Sequence, residues 1–196
     1  VGGGGRLLVV DVPPEVHDRL VARQMQPRST AVDGLSCLVC GSRGGQVTLP
    51  ALWLLGCRMP AVVINGGCAR EKAGWLWPVG VPVVLLTGGR DKICNEFCKD
   101  DDGDRAYVSS LWRAVPPASR STTAILHLPV IGHRADCATL SAVLPTLVEY
   151  ASSGLAPKTK PTVESLGSIG TLPCMLVTAE HPDGEFLRNP CEALWP

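Results

Sequence analysis

The sequence has no excess of charge of either sign and no long hydrophobic run. Among its 196 residues, 18 basic and 18 acidic side chains cancel, and the basic ones are scattered along the chain. Binding of nucleic acid or of an anionic membrane surface requires a basic patch, so the composition argues against a nucleic-acid partner. The longest apolar stretches, such as 61–65 and 79–87, are far shorter than the roughly 20 residues that cross a bilayer, so no transmembrane segment is predicted.

The chain also lacks the usual features of an intact amino terminus. It begins with Val1 and four glycines, without an initiating methionine and without the charged and apolar profile of a secretory signal. We therefore expect a processed product or a piece of a longer protein. The compartment is left unassigned, although reduced cysteines and the missing signal favour the cytoplasm or the interior of an organelle.

The cysteines do not form a fully paired set. There are nine of them, an odd number at spacings that do not repeat, which excludes a complete disulfide framework within the isolated chain. Most lie in apolar runs, where a reduced cysteine acts as a small hydrophobic residue. Cys37 and Cys40 form a C-x-x-C pattern, but on a strand residues three apart point to opposite faces. We therefore predict no shared metal there, and the sequence gives no reason to expect a cofactor.

The hydrophobic pattern alternates between strands and helices and is long enough for one domain with a substantial core. This alternation predicts an α/β fold with an open, mostly parallel sheet flanked by helices. Residues 1–151 are assigned to the core, and residues 152–196 to a linker and C-terminal extension. The predicted strands are 6–12, 36–40, 61–65, 81–87, 123–128 and 173–179, and the predicted helices are 15–24, 47–55, 107–114 and 140–151.

A single serine, Ser42, lies among small residues between an apolar strand and an apolar helix. A strand-turn-helix connection of this kind strains the serine backbone and calls for small neighbours, as in a nucleophile elbow. Cys40 stands where the pattern G-x-S-x-G has its first glycine, and cysteine is small enough to replace it. The alternative is a glycine-rich loop that cradles a phosphate. The small neighbours are Gly41, Gly44 and Gly45.

Two titratable residues follow other predicted strands. Asp91 comes after a buried strand and the pair Gly88-Gly89, and His133 comes directly after Gly132 and before a helix. Sites in parallel sheets lie beyond the carboxyl ends of the strands, so we expect both side chains near Ser42. Alternatively, Asp91 is an ordinary turn residue, and one of the acids at 100–104 takes its place in the site. His127, inside an apolar strand, is predicted to be a packed core histidine.

The order serine, aspartate, histidine, with a strand before each, resembles the α/β-hydrolase family. The likeness covers about residues 6–151 and rests on the elbow, on Gly-Gly-Arg-Asp and on Gly-His. It implies a serine hydrolase in which Ser42 attacks a carboxylic ester or thioester, His133 carries the proton and Asp91 orients the imidazole.

The resemblance also implies an oxyanion hole beside the elbow. Gly41 and Arg43 flank the serine, and the backbone N–H of Arg43 would be one donor. The family takes its second donor from a loop after an earlier strand, and the sequence offers only Gly2 to Gly5 in its place. The Arg43 side chain either recognises an anionic substrate group or forms an ordinary ion pair.

Two other functions compete with the hydrolase. A non-catalytic, hydrolase-like subunit of a larger assembly would explain the missing early strand and the tryptophans in connections, Trp75, Trp77 and Trp195, because such side chains are favoured at protein interfaces. A nucleotide-binding loop at 41–45 would need a Walker lysine or a G-x-G-x-x-G, and the sequence has neither there.

Overall fold

The computed structural model describes residues 37–54, 56–66, 77–94 and 103–187. The chain divides into two compact units, 1–33 and 34–196, and every described residue belongs to the second. The predicted strand at 6–12 and helix at 15–24 lie outside the described residues.

The described residues form one sheet of six strands, hydrogen-bonded in chain order. The first four strands are parallel to one another. The fifth strand pairs antiparallel with the fourth, and the sixth pairs antiparallel with the fifth. The predicted α/β class with a mostly parallel sheet is therefore confirmed. The strands are β1 Leu38–Gly41, β2 Ala61–Ile64, β3 Val83–Arg90, β4 Thr123–Gly132, β5 Met175–Val177 and β6 Glu185–Phe186.

Helices cover both faces of the sheet, because the inner strands are apolar on both sides. The helices are α1 Leu49–Leu54, α2 Gly103–Ala114 and α3 Cys137–Ser152. Helices α1 and α2 pack on one face around Trp53 and Tyr107, and α3 packs on the other through Val143 and Leu147. None of the described helices is both long and apolar enough to cross a membrane.

Helix α3 begins at an aspartate cap three residues after His133. The Asp136 carboxylate accepts hydrogen bonds from the Thr139 backbone N–H and hydroxyl, both at 2.8 Å. These donors hold the pKa of Asp136 below its ordinary value. The cap pairs backbone N–H groups that a helix start leaves without an intrahelical partner, and thereby fixes where the connection from β4 ends.

Strands β3 and β4 run further than the sequence predicts, to Arg90 and Gly132 rather than to Thr87 and Leu128. The glycine pair after Thr87 was expected to end the strand. Instead it allows the two strands to stay close, because a Cβ on Gly88 would collide with the backbone oxygen of Ile131. The pairing passes an irregularity between Gly88 and Arg90 and then resumes, with Arg90 opposite Gly132.

The chain after α3 returns to the same sheet. Residues 157–159 and 167–171 form short 3-10 turns, and β5 then pairs with β4. The predicted strand at 173–179 is observed as β5, while the two-residue β6 was not predicted. Leu166, Cys174 and Leu176 are fully buried, so the C-terminal segment contributes to the core beneath α3.

Replacing Gly88 with alanine tests the close approach of β3 and β4. The new methyl group would meet backbone atoms that cannot rotate away, so Gly88→Ala should destabilise the fold by about 2–3 kcal/mol. Gly41→Ala is the matched control, because nothing lies within 4 Å of a Cβ built there. Urea unfolding of both variants gives the comparison, and equal losses of stability would contradict this account.

Candidate active site

Ser42 occupies a strained turn between β1 and the helical segment that follows. Its φ angle is 44°, in the left-handed region that few residues other than glycine adopt. Such a conformation costs on the order of 1–3 kcal/mol and persists only where the surroundings enforce it. The Ser42 backbone N–H donates to the carbonyl oxygen of Ile64 in β2 at 2.8 Å, and the Ser42 carbonyl oxygen accepts from the Gln46 backbone N–H at 3.1 Å. These two bonds hold the serine at the edge of the sheet.

The small residues around Ser42 differ in their roles. A Cβ on Gly44 would lie 3.8 Å from the Cβ of Cys40, so these two residues face each other across the turn. A separation of 3.8 Å is an ordinary van der Waals contact, so an alanine at position 44 would also fit beside Cys40. At Gly41, in contrast, nothing lies within 4 Å of a Cβ, so a methyl group meets open space there. The chain continues as a π-helical turn, Gly44–Thr48, before α1.

The structure brings Ser42, His133 and Asp91 together in one chain of hydrogen bonds. Ser42 Oγ lies 2.7 Å from His133 Nε2. His133 Nδ1 lies 3.0 Å from Asp91 Oδ1 and 3.1 Å from Oδ2. An ionised carboxylate only accepts hydrogen bonds, so Nδ1 carries the imidazole proton and Nε2 is the acceptor that faces the serine hydroxyl. In this tautomer the imidazole can take a proton from Ser42.

Asp91 is buried, with only 1% of its surface exposed. Its Oδ1 accepts two backbone hydrogen bonds, from the N–H groups of Ile93 and Cys94, both at 3.0 Å. These bonds and the imidazole offset the loss of hydration of the carboxylate. They also fix the turn after β3, so the same side chain shapes the loop and holds the histidine.

Asn65 is a residue of this site that the sequence analysis missed. It follows β2, is 1% exposed, and has a φ angle of 46°. Its Nδ2 donates to the backbone oxygens of Gly132 and His133, at 2.7 and 3.1 Å. The amide therefore clamps the segment that carries His133. The sequence does contain a signal for Asn65. It is a polar residue directly after an apolar strand, at the same edge of the sheet as Ser42 and Asp91.

A second aspartate-histidine pair lies apart from this chain of hydrogen bonds. His127 is 1% exposed, as predicted for a core histidine. Its Nδ1 is 2.9 Å from Thr87 Oγ1, and its Nε2 is 3.1 Å from Asp104 Oδ2. Asp104 thus faces His127, whereas Asp91 faces His133. The other acids proposed as alternatives to Asp91, residues 100–102, lie outside the described residues.

Arg43 and Gly41 are exposed on either side of Ser42. Arg43 has helical φ and ψ angles and begins the helical segment. Its backbone N–H is among the first N–H groups of that segment, which have no carbonyl partner in the preceding turn. This group is available to a negatively charged oxygen at Ser42. The run Gly2 to Gly5, expected to supply a second donor, lies outside the described residues.

Cys37 and Cys40 contact different sides of the sheet. Cys40 packs with the α1 and α2 cluster and Cys37 with the α3 cluster, which confirms that they point to opposite faces. Burial raises the pKa of both thiols to about 11, and that of Cys174 to about 12. At neutral pH these three residues are protonated, hydrophobic side chains.

Comparisons of the whole chain with protein-family models, curated proteins and solved structures gave no match. The functional argument therefore depends on the geometry of the site.

The cysteines should differ widely in reactivity at pH 8. A thiol with a pKa near 11 is thiolate about a hundredfold less often than one of ordinary pKa. Among the cysteines of the described residues, iodoacetamide should modify the exposed Cys137 first. Cys37, Cys40 and Cys174 should react at least about a hundredfold more slowly than a free thiol, with the difference shrinking as pH rises toward 11. Peptide mass spectrometry over time measures each rate. Comparable rates in the folded protein would contradict the burial of these thiols.

Proposed function

We propose that the protein is a serine hydrolase that cleaves a carboxylic ester or thioester. The observation that carries the proposal is the continuous contact from Ser42 Oγ to His133 Nε2 and from His133 Nδ1 to Asp91. A serine hydroxyl is a poor nucleophile at neutral pH until a base removes its proton, and this arrangement supplies the base and orients it.

The topology supports an α/β-hydrolase-like fold for this site. Ser42, Asp91 and His133 follow the parallel strands β1, β3 and β4, in the chain order of that family's triad. The left-handed backbone of Ser42 fits the strained strand-to-helix turn of a nucleophile elbow.

In the proposed reaction Ser42 Oγ attacks the carbonyl carbon while its proton moves to His133 Nε2. The resulting imidazolium is stabilised by Asp91. The proton then passes to the leaving alcohol or thiol as its bond to the acyl carbon breaks, leaving an acyl ester on Ser42. A water molecule, deprotonated by the same imidazole, attacks this ester and releases the carboxylic acid and the free serine.

The Arg43 N–H is the proposed first donor to the tetrahedral oxyanion. Losing one of two donors in such a hole costs about two to three orders of magnitude in rate, so the source of the second donor decides how fast the enzyme is. Arg43 is exposed and directly follows Ser42 in the sequence, and its guanidinium would favour substrates with an anionic group near the scissile carbonyl.

A non-catalytic subunit of a larger assembly is the second candidate. Leu54 and Val79 are apolar and 62% and 66% exposed, and together with Trp53 and Trp77 they line a pocket. Exposed apolar side chains of this kind are typical of contact surfaces. Trp77 is buried in the core rather than exposed in a connection, so it does not support the expectation that the tryptophans in connections form a protein interface.

Labelling with a fluorophosphonate probe separates the two candidates. The native chain should react, and Ser42→Ala should lose labelling completely because the attacking oxygen is gone. Ser168→Ala, at an exposed serine in the C-terminal segment, is the matched control and should label like the native chain, while heat-denatured protein should not label. A folded native sample that does not react would reject the hydrolase and favour the subunit.

Asn65 should affect the rate of fluorophosphonate labelling as a positioning residue, because it holds the segment that carries His133. Asn65→Gly removes the clamp on Gly132 and His133 but suits the left-handed backbone at this position. We expect labelling to slow by roughly tenfold or more, since small losses of alignment reduce rates strongly. Asn65→Ala, which adds backbone strain, should lose more stability while showing a similar decrease. Native-rate labelling of folded Asn65→Gly would show that the clamp is unnecessary.

A further inference from the structure

Cys94 lies against the histidine of the proposed triad, and the mechanism does not use it. Its Sγ is 3.8 Å from His133 Nδ1 and 3.2 Å from the Asn65 backbone oxygen, to which the thiol donates. Within the described part of the chain, Asp91, Cys94 and His133 are the one group of potential metal ligands whose donor atoms all lie within 4.8 Å of one another.

We propose that Asp91, Cys94 and His133 form an inhibitory binding site for Zn²⁺. One carboxylate, one thiolate and one imidazole are the ligand types that zinc accepts, and water would occupy the fourth position of a tetrahedron. The sulfur and nitrogen ligands favour zinc over magnesium and calcium, which prefer oxygen. The thiolate and the carboxylate together balance the two charges of the ion.

The observed spacing is close to what a tetrahedral zinc ion needs. With bonds of about 2.0 Å to nitrogen and oxygen and about 2.3 Å to sulfur, neighbouring ligand atoms lie about 3.3–3.5 Å apart. His133 Nδ1 is 3.0 Å from Asp91 Oδ1 and 3.8 Å from Cys94 Sγ. The third pair, the Asp91 carboxylate and Cys94 Sγ, lies within 4.8 Å, so the ion requires the side chains to rotate until the three donor atoms are evenly spaced.

The surroundings already orient two of the ligands. The backbone N–H groups of Ile93 and Cys94 hold Asp91 Oδ1, and both oxygens of the carboxylate lie within 3.1 Å of His133 Nδ1. The Asn65 amide fixes the segment of His133. Hydrogen bonds of this kind to the ligands strengthen metal binding. The site is also accessible, because the His133 side chain is 20% exposed and Cys94 is only partly buried.

Binding would change the protonation of both Cys94 and His133. The S–H bond of Cys94 breaks, its proton goes to solvent, and a zinc–sulfur bond forms in place of the hydrogen bond to Asn65. Zinc takes the Nδ1 lone pair of the neutral imidazole, so the ring proton must lie on Nε2 instead. An Nε2 that carries a proton cannot accept one from Ser42. The inhibition rests on the proposed function, whereas metal binding itself does not.

Cobalt is the direct probe, because a cobalt–thiolate bond gives a charge-transfer absorption band that does not depend on activity. The full chain and Cys137→Ser should each bind one Co²⁺ at this site with that band, and Zn²⁺ should displace it. Cys94→Ser keeps a donor to Asn65 but should lose the band. An unchanged band in Cys94→Ser would overturn the proposal.

Inhibition is measured on fluorophosphonate labelling, each protein being compared with its own metal-free rate. Zn²⁺ should slow labelling of the native chain, reversibly with EDTA, and Cys94→Ser should need at least about tenfold more Zn²⁺ for the same effect. Equal sensitivity of the two proteins would overturn inhibition through Cys94. If no sample labels without metal, the hydrolase proposal fails, while the cobalt band still decides the metal site.

Alkylation of the native chain provides a test that needs no variant. Zn²⁺ should protect Cys94 from iodoacetamide, measured by peptide mass spectrometry, and should leave the exposed Cys137 as reactive as before. Protection of both residues to the same extent, or of neither, would contradict a site at Cys94.

Discussion

The pairing of β3 with β4 at their carboxyl ends is the constraint on which the site depends. Arg90 lies opposite Gly132, so the residues that come next, Asp91 and His133, leave the sheet side by side. This pairing exists because Gly88 lets the backbone of Ile131 approach closely. The strand register thus brings the backbones of Asp91 and His133 close enough for their side chains to meet at 3.0 Å.

Four neighbouring parallel strands each contribute one part at the same edge. Ser42, Asn65, Asp91 and His133 follow β1, β2, β3 and β4 in turn. The strand between the serine and the aspartate is followed by Asn65, which holds the His133 segment, and the two outer strands are followed by the proposed nucleophile and the proposed base. Since parallel strands end at one edge of a sheet, a chain with this topology gathers residues that are more than 90 positions apart.

Much of this arrangement could be read from the sequence, because the buried strands are apolar and end at small or polar residues. The alternation of strands and helices predicts the class of fold, and the small residues around Ser42 predict its strained turn. The sequence could not decide between Asp91 and the acids at 100–104, since all of them follow the same strand. Among the described residues, the pairing register of β3 and β4 brings Asp91 beside His133. No local sequence pattern encodes the register between two strands that lie 40 positions apart.

Other features escaped the sequence analysis for physical reasons. Strand β3 was predicted too short because glycine usually interrupts a strand, whereas here it permits a close approach. Strand β4 continues past Leu128 through Pro129, a residue that has no backbone N–H to donate to a neighbouring strand. Strand β6 has two residues and leaves no periodic pattern. Asn65 does not titrate, so a search for acids, bases and nucleophiles passed over it, although its amide makes two of the contacts that hold the His133 segment.

The short connection that carries His133 has a consequence for the thermodynamics of binding. It runs from the end of β4 to the Asp136 cap of α3 and is tied to Asn65 on the way. The imidazole is therefore preorganised: the entropy lost in orienting it is accounted for when the chain folds, not when a ligand arrives. A ligand that needs this backbone segment in its present place loses little affinity to rearrangement, and one that needs the segment elsewhere must first break its hydrogen bonds to Asn65.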